Sequence, residues 1–235
     1  MRYKIADLIT EVPAAGGMAS RCKDYLTSQN TEPDIVIHAD LYDAEKWKPL
    51  AEDRAIYMES GFQFYRQLLR FNGIMLHASA IEMDGWAYLF SGPSGVGKST
   101  HTALWLDAFG QKASVINDDK PAIRFVDSYW FVYGTPWSGK NGINRNSKAR
   151  LAGICFLKQG TSNRITQLTA KKAVPYFISQ TTHKKLSAEN MEQMLNCVEK
   201  LVKEIPFYEL ECLPNIEAVQ LSYETMRRGA EEIGL

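Results

Sequence analysis

The chain has 235 residues, 45% of them hydrophobic, which is long enough to bury a sizeable core. Lys plus Arg and Asp plus Glu both number 27, so no overall charge argues for a nucleic-acid or anionic-membrane partner. No stretch approaches the roughly 18–20 apolar residues of a membrane span, and the first residues have no apolar signal core. We therefore expect a cytoplasmic protein.

The first 70 residues predict a small β-rich segment that ends in a helix. Short apolar or alternating pieces at residues 3–8 and 34–38 are separated by Pro and Gly turn residues. Ser60 is predicted to cap a helix that begins near Gly61. The face of this helix that carries aromatic and leucine side chains is assigned to the core. The alternative is a surface on which a nucleotide base stacks.

The next stretch predicts a β-hairpin. Residues 74–83 and 86–90 are strand-like, and Asp84-Gly85 between them suits a type I′ turn. The second strand is therefore expected to run antiparallel to the first. The second strand leads directly into a phosphate-binding loop. In ordinary P-loop NTPases the strand before such a loop lies in a parallel sheet, so this hairpin indicates a fold different from theirs.

The hairpin leads into a glycine-rich loop that matches the phosphate-binding pattern G-x-x-x-x-G-K-[ST]. Glycine permits positive φ, and the following helix, predicted to end at Gly110, presents unpaired N–H groups to the same anion. Lys98 is expected to reach the β- and γ-phosphates of ATP, and the Ser99 hydroxyl to ligate Mg²⁺. The predicted ATP-binding residues are Gly92, Pro93, Ser94, Gly95, Val96, Gly97, Lys98 and Ser99.

Two adjacent carboxylates follow the loop helix. Residues 113–116 predict a short strand that ends in Asn117-Asp118-Asp119. Because adjacent residues at a strand end point to different sides, one carboxylate can hold magnesium and the other can accept a proton from a hydroxyl. An Asp-Asp turn cap is the alternative. The cysteines and histidines are scattered without zinc or redox spacing, so magnesium is the only metal expected.

A glycine-rich loop at residues 134–142 follows a second predicted hairpin around Asp127-Ser128. This loop is expected to be mobile and directed at an anion. Lys140 or Arg145 could neutralise charge on a transferring phosphoryl group. The alternative is a solvated surface loop that Trp137 packs down.

The last third of the chain is assigned a structural role. Its predicted elements are a buried strand at 154–157, a helix at 188–204, a strand at 207–210 and a helix at 216–228 that stops at Gly229.

The order of these motifs resembles the catalytic domain of HPr kinase/phosphorylase, a bacterial protein-serine kinase family with a phosphoenolpyruvate carboxykinase-like fold. The resemblance rests on His77 in a strand, the hairpin, GPSGVGKS and Asn117-Asp118-Asp119, and it covers residues 73–157. It implies an α/β (α+β) P-loop domain at residues 71–235, with a mixed, largely antiparallel sheet flanked by helices.

The resemblance also implies roles for single residues. Thr100 flanks the ATP site, Asp118 acts as base toward a serine hydroxyl, Asp119 is linked to the metal, and His77 lies near the transferred phosphate. The shorter N-terminal segment and a later loop that reads GTPWSGKNGIN depart from the bifunctional enzymes. These departures argue against phosphorylase activity and against HPr as substrate, and the pattern is closer to small HPr-kinase-like proteins, some associated with peptide modification.

The sequence therefore predicts an ATP- and Mg²⁺-dependent kinase acting on a serine-type hydroxyl of a protein or peptide. No nucleic-acid or membrane partner is expected, and a homo-oligomer is left open. Two alternatives stay open: a non-catalytic ATP-binding regulatory or precursor-binding module, and a carboxykinase-like enzyme acting on a small carboxylic acid.

Overall fold

The computed structural model describes residues 1–38, 48, 50–181 and 186–234. Within these ranges, a three-stranded and a nine-stranded sheet are accompanied by six α-helices. The strands are β1 Arg2–Ile5, β2 Leu8–Glu11, β3 Ile35–Val36, β4 Gly73–Met75, β5 Ala78–Met83, β6 Trp86–Ser91, β7 Ala113–Asn117, β8 Ala122–Val126, β9 Tyr129–Tyr133, β10 Lys148–Gln159, β11 Arg164–Gln167 and β12 Phe207–Cys212. The helices are α1 Met18–Arg21, α2 Glu52–Leu68, α3 Lys98–Phe109, α4 Ala170–Gln180, α5 Ala188–Glu204 and α6 Ile216–Glu232.

The small sheet is formed by β1, β2 and β3. The predicted apolar piece at residues 3–8 is broken by a tight turn, because Ala6 and Asp7 adopt positive φ angles of 52° and 62°. Strand β2 therefore returns antiparallel to β1, and β3 adds to β2 in parallel. One apolar cluster joins this sheet to α2 and to β9, so Tyr3 and Tyr133 belong to the same core. The division into segments 1–70 and 71–235 stays a prediction.

The large sheet is mixed and largely antiparallel, as predicted. Its order is β4-β8-β9-β10-β6-β5-β7, and β12 pairs with both β10 and β11. Strand β10 is the central strand because it pairs in parallel with β6 and β12 and antiparallel with β9. The buried side chains of β6, β10 and β12 supply much of the core on both faces of the sheet.

The Asp84-Gly85 hairpin is confirmed, with φ angles of 55° and 80° in the turn and Met83 paired to Trp86. The single strand predicted at residues 74–83 is wrong. It is two strands, of which β4 pairs with β8 while β5 pairs with β6 and β7. The break occurs at His77, whose backbone N–H donates to the carbonyl of Gln180 at 2.8 Å instead of to a neighbouring strand.

Two predicted helix limits are also wrong. Helix α2 begins at Glu52, so Ser60 lies inside the helix, where its hydroxyl donates to the Tyr57 carbonyl at 3.0 Å. Helix α6 continues through Gly229 to Glu232. A Cβ at Gly229 would lie 1.8 Å from the Tyr208 hydroxyl oxygen, so this glycine permits close helix–sheet packing and does not end the helix.

Trp137 pins the buried first half of the 134–142 loop against α2, while residues 140–142 are exposed and the mobility of the loop stays a prediction. Its side chain is fully buried, stacks on Phe64 with ring centroids 4.7 Å apart, and donates from Nε1 to the Ser60 hydroxyl at 3.1 Å. Strand β9 therefore leads into a loop whose course is set by packing.

We expect Trp137→Ala to lower the free energy of unfolding by about 3–5 kcal/mol, because it leaves a large cavity in this core. Urea unfolding would measure the loss. Tyr129→Ala, at a ring that is 44% exposed, should cost much less. Equal losses in the two variants would contradict the pinning role of Trp137.

Across the part of the chain that the structure describes, no helix combines the length and apolarity needed to cross a membrane.

Candidate active site

The glycine-rich loop with the phosphate-binding pattern, residues 92–97, joins β6 to α3. Gly92, Gly95 and Gly97 have φ angles of 144°, 81° and 112°, a region that side-chain-bearing residues rarely adopt. The Lys98 ammonium folds back over the loop and donates to the carbonyls of Gly92, at 2.8 Å, and Pro93, at 3.1 Å. The loop is thereby closed around a cation at the N-terminus of a helix.

Two opposing effects act on the charge of Lys98. The side chain is only 8% exposed, and burial lowers its pKa, while the nearby carboxylates of Asp119 and Asp118 act in the opposite direction. The structure thus brings the loop lysine within electrostatic reach of the predicted carboxylate pair.

Asp118 is connected to the loop helix through Ser79. The Ser79 hydroxyl on β5 donates to Asp118 Oδ1 at 2.6 Å, and its oxygen lies 3.1 Å from the Thr102 hydroxyl on α3. Because Ser79 has given its one proton to Asp118, the Thr102 hydroxyl is the donor between the two; Thr102 is one helical turn beyond Lys98, and its oxygen lies 3.2 Å from the Lys98 carbonyl. Within the described residues, the other carboxylate oxygen of Asp118 has no hydrogen-bond partner.

Asp119, unlike Asp118, is already paired with charged or ionisable side chains. Its carboxylate lies 3.3 Å from His77 Nε2 and contacts the Lys120 ammonium closely. Burial raises the pKa of Asp119, but the hydrogen bonds from His77 and Lys120 and their charges outweigh it, so the pKa lies below its usual value. His77 is held between Asp119 and Gln180, whose side-chain oxygen is 3.3 Å from Nδ1.

Asn117 shapes this turn. Its side-chain oxygen accepts from the backbone N–H groups of Asp119, at 2.9 Å, and Lys120, at 2.8 Å. Its amide nitrogen donates to the Thr135 carbonyl at 3.0 Å. The two aspartates are therefore presented from a turn that is fixed on both sides.

The structure separates the two cations predicted to neutralise phosphoryl charge. Lys140 is exposed and follows Gly139, whose missing Cβ would lie 3.0 Å from Asp119 Cβ, so its backbone borders the site. Arg145 instead forms a 2.7 Å ion pair with Glu82 near the far end of β5.

Several site residues have no distinctive sequence signal. Ser79, Thr102 and Gln180 come from β5, α3 and α4. Ser79 contacts Asp118 directly, Thr102 contacts Ser79, and Gln180 contacts His77, because the fold brings these elements together. Lys120 could have been predicted from the sequence as a site residue, because it directly follows Asp119.

Two cavities flank the glycine-rich loop. The first, about 590 Å³, is lined by the start of the loop and by Phe156, Tyr176 and Gln180. The second, about 440 Å³, lies at the end of the loop, beside Thr100 and His101 in the first turn of α3. Gln159 lines both and donates weakly to the Gly95 carbonyl at 3.4 Å.

His101 is buried against Phe90, with ring centroids 4.5 Å apart, and burial lowers its pKa from 6.5 to about 4. Below pH 6.5 the unfolded chain therefore binds a proton that the folded chain does not. We expect the stability that this histidine contributes to be complete above pH 6.5 and to fall by about 2 kcal/mol between pH 7.5 and 5.

Urea unfolding of wild type and His101→Gln at both pH values would isolate this effect, because other titrating groups are common to both. His38→Gln, at an exposed histidine, is the matched control and should keep the wild-type pH dependence. The same pH dependence in His101→Gln as in wild type would contradict the assignment.

The oxygen donors of the site suit magnesium better than a transition metal. Ser99 is exposed in the first turn of α3, and Asp119 contributes a carboxylate beside the loop lysine. In residues 1–38, 48, 50–181 and 186–234, no three His, Cys, Asp or Glu side chains form a ready-made metal cluster.

These observations define a mixed α/β protein in which a glycine-rich strand–loop–helix junction faces two carboxylates. The chain belongs to the family of the SynChlorMet cassette protein ScmC, whose family model matches residues 48–215. No curated protein matches it.

Among solved structures, the chain is similar to the Hpr(Ser) kinase/phosphatase from Coxiella burnetii. The sequences are 9% identical, the match covers 67% of this chain and 98% of that chain, and the TM-score is 0.38. This neighbour has the name of the family that the motifs resemble, but at this TM-score it adds no argument about function.

Proposed function

We propose that this chain is an ATP- and Mg²⁺-dependent kinase that transfers the γ-phosphoryl group to a serine-type hydroxyl. The observation that carries the proposal is the hydrogen-bonded connection from Asp118 through Ser79 to Thr102, next to Lys98. It couples a carboxylate able to accept a proton to the helix whose N-terminus is suited to phosphates.

In the proposed reaction, Asp118 accepts the proton of the acceptor hydroxyl through its unpartnered oxygen. The hydroxyl oxygen forms its bond to the γ-phosphorus as the bond from that phosphorus to the bridging oxygen breaks, and ADP leaves with the electron pair. Lys98 and the loop N–H groups stabilise the charge that develops. Magnesium, when bound, supplies further positive charge against the β- and γ-phosphate oxygens.

Asp119 and Ser99 are the residues we assign to the magnesium. Asp119 now pairs with Lys120 and His77, so metal binding would exchange at least one of these partners. The displaced Lys120 ammonium would remain beside the phosphates, where Lys140 could join it. His77 would lie near the transferred group.

The proposal includes an HPr kinase-like, phosphoenolpyruvate carboxykinase-like P-loop domain at residues 71–235 that binds ATP through residues 92–100. We place the protein in the cytoplasm with a protein or peptide acceptor, and without nucleic acid or membrane as partner. Self-association is left open.

The test is transfer from γ-labelled ATP to peptides encoded beside the gene, to HPr and to free serine, read by mass spectrometry. A gain of one phosphoryl group on a hydroxyl residue supports the kinase. Tight ATP binding without transfer to any acceptor would instead favour the regulatory or precursor-binding module, and transfer only with a small carboxylic acid would favour the carboxykinase-like reaction.

A further inference from the structure

The glycine-rich loop has a direction, which follows from Lys98. In this type of loop the lysine reaches the β- and γ-phosphates. The Lys98 ammonium lies at the carbonyls of Gly92 and Pro93, so the start of the loop is the γ-phosphate end. The other end, at Thr100 and His101 in the first turn of α3, therefore faces the remainder of a bound nucleotide.

The cavity of about 440 Å³ opens at this second end. Its volume lies within the range of small-molecule sites, about 300–1,000 Å³. Its wall is part apolar and part polar, and Thr100, His101 and Gln159 are the polar side chains in the lining. The apolar side chains in the lining are Val96, Leu157, Leu213 and Pro214.

His101 offers this cavity a ring nitrogen that is free to form a hydrogen bond. The ring is 4% exposed, and its Nε2 lies 3.3 Å from Trp105 Nε1 and 3.2 Å from the Ser222 hydroxyl. Among the described residues, Nδ1 has no hydrogen-bond partner. A polar atom of a ligand in the cavity can therefore exchange a hydrogen bond with Nδ1.

The rim of the cavity is already ordered by hydrogen bonds between two loops. The Gly160 N–H after β10 donates to the Cys212 carbonyl at 3.2 Å, and the Leu213 N–H donates to the Asn163 side chain at 2.9 Å. Binding here would require little additional ordering of the backbone.

We propose that this cavity binds the nucleoside half of the nucleotide whose phosphates lie in the glycine-rich loop, with the base against Leu213 and a polar atom on His101. The assignment rests on the proposed function and adds the part of the site that distinguishes a nucleotide from a bare polyphosphate. The cavity at the γ-phosphate end is left for the acceptor.

The test compares the affinities of Mg-ATP and Mg-tripolyphosphate by calorimetry in wild type, Leu213→Ala and His101→Gln. Leu213 is 38% exposed, so Leu213→Ala should fold. Because His101 is buried, thermal unfolding would verify that His101→Gln is folded. We expect Leu213→Ala to weaken ATP binding about fivefold and to change tripolyphosphate binding by less than about twofold. Leu195→Ala, at a 46% exposed leucine on α5, should change neither affinity.

An ATP-to-tripolyphosphate affinity ratio unchanged in both cavity variants would overturn the nucleoside assignment and leave the phosphate site intact. Failure of the wild-type protein to bind either ligand would overturn the proposed function together with this inference. The two failures are therefore distinguishable in one set of titrations.

Discussion

Asp118→Asn should reduce the rate of phosphoryl transfer by about 10²–10⁴-fold while preserving or strengthening ATP binding. The amide keeps the shape of the carboxylate and can still accept from Ser79, but it cannot take the proton of the acceptor hydroxyl. It also removes one negative charge beside the phosphates, so ground-state affinity should not fall. Single-turnover transfer and calorimetric ATP binding would measure the two quantities separately.

The matched control is Asp107→Asn, at an exposed aspartate on the loop helix α3, which should keep the wild-type rate. A selective loss in Asp118→Asn would support the proton-accepting role. Equal transfer rates in wild type and Asp118→Asn would show that Asp118 is not the base, and equal biological output of both would favour the non-catalytic module.

Lys98→Ala should lower the turnover of ATP by about 10²–10³-fold, the effect expected on removing one preorganised electrostatic donor. Unlike Asp118→Asn, it should also weaken binding of the phosphates, because the ground state loses the same charge. The substitution removes the hydrogen bonds to the carbonyls of Gly92 and Pro93 that close the loop. Both kcat and KM should therefore change.

Because Lys98 is nearly buried, its variant requires a stability measurement at the assay temperature. Lys112→Ala, at an exposed lysine just beyond the same helix, controls for the loss of a positive charge and should leave turnover unchanged. Unchanged ATP turnover in a folded Lys98→Ala protein would refute the phosphate-site assignment.

Features that depend on neighbouring residues were predictable from the sequence. The Asp84-Gly85 turn follows from the preference of Asp and Gly for positive φ, and this local preference led to the antiparallel strand before the loop. The helix at 188–204 was predicted with the limits that the structure has, because Ser187 caps its start and Pro206 follows its end.

Helix limits that depend on distant contacts were not predictable. Gly229 has the local signature of a helix stop, yet it lies inside α6, where the lack of a Cβ leaves room for the Tyr208 hydroxyl. Ser60 has the signature of a cap, yet it is an interior residue whose oxygen accepts from Trp137. In both cases the deciding atom belongs to a residue at least twenty positions away in the chain.

The sequence by itself determined the chemistry of the candidate site: a glycine-rich phosphate-binding pattern, the lysine and serine that follow it, and two adjacent carboxylates. Only the tertiary structure decided how these groups are connected. It joined Asp118 to Ser79, paired Asp119 with His77, and directed Arg145 to Glu82. Side-chain pairing between strands depends on sheet order and register, which local propensities and motif spacing do not specify.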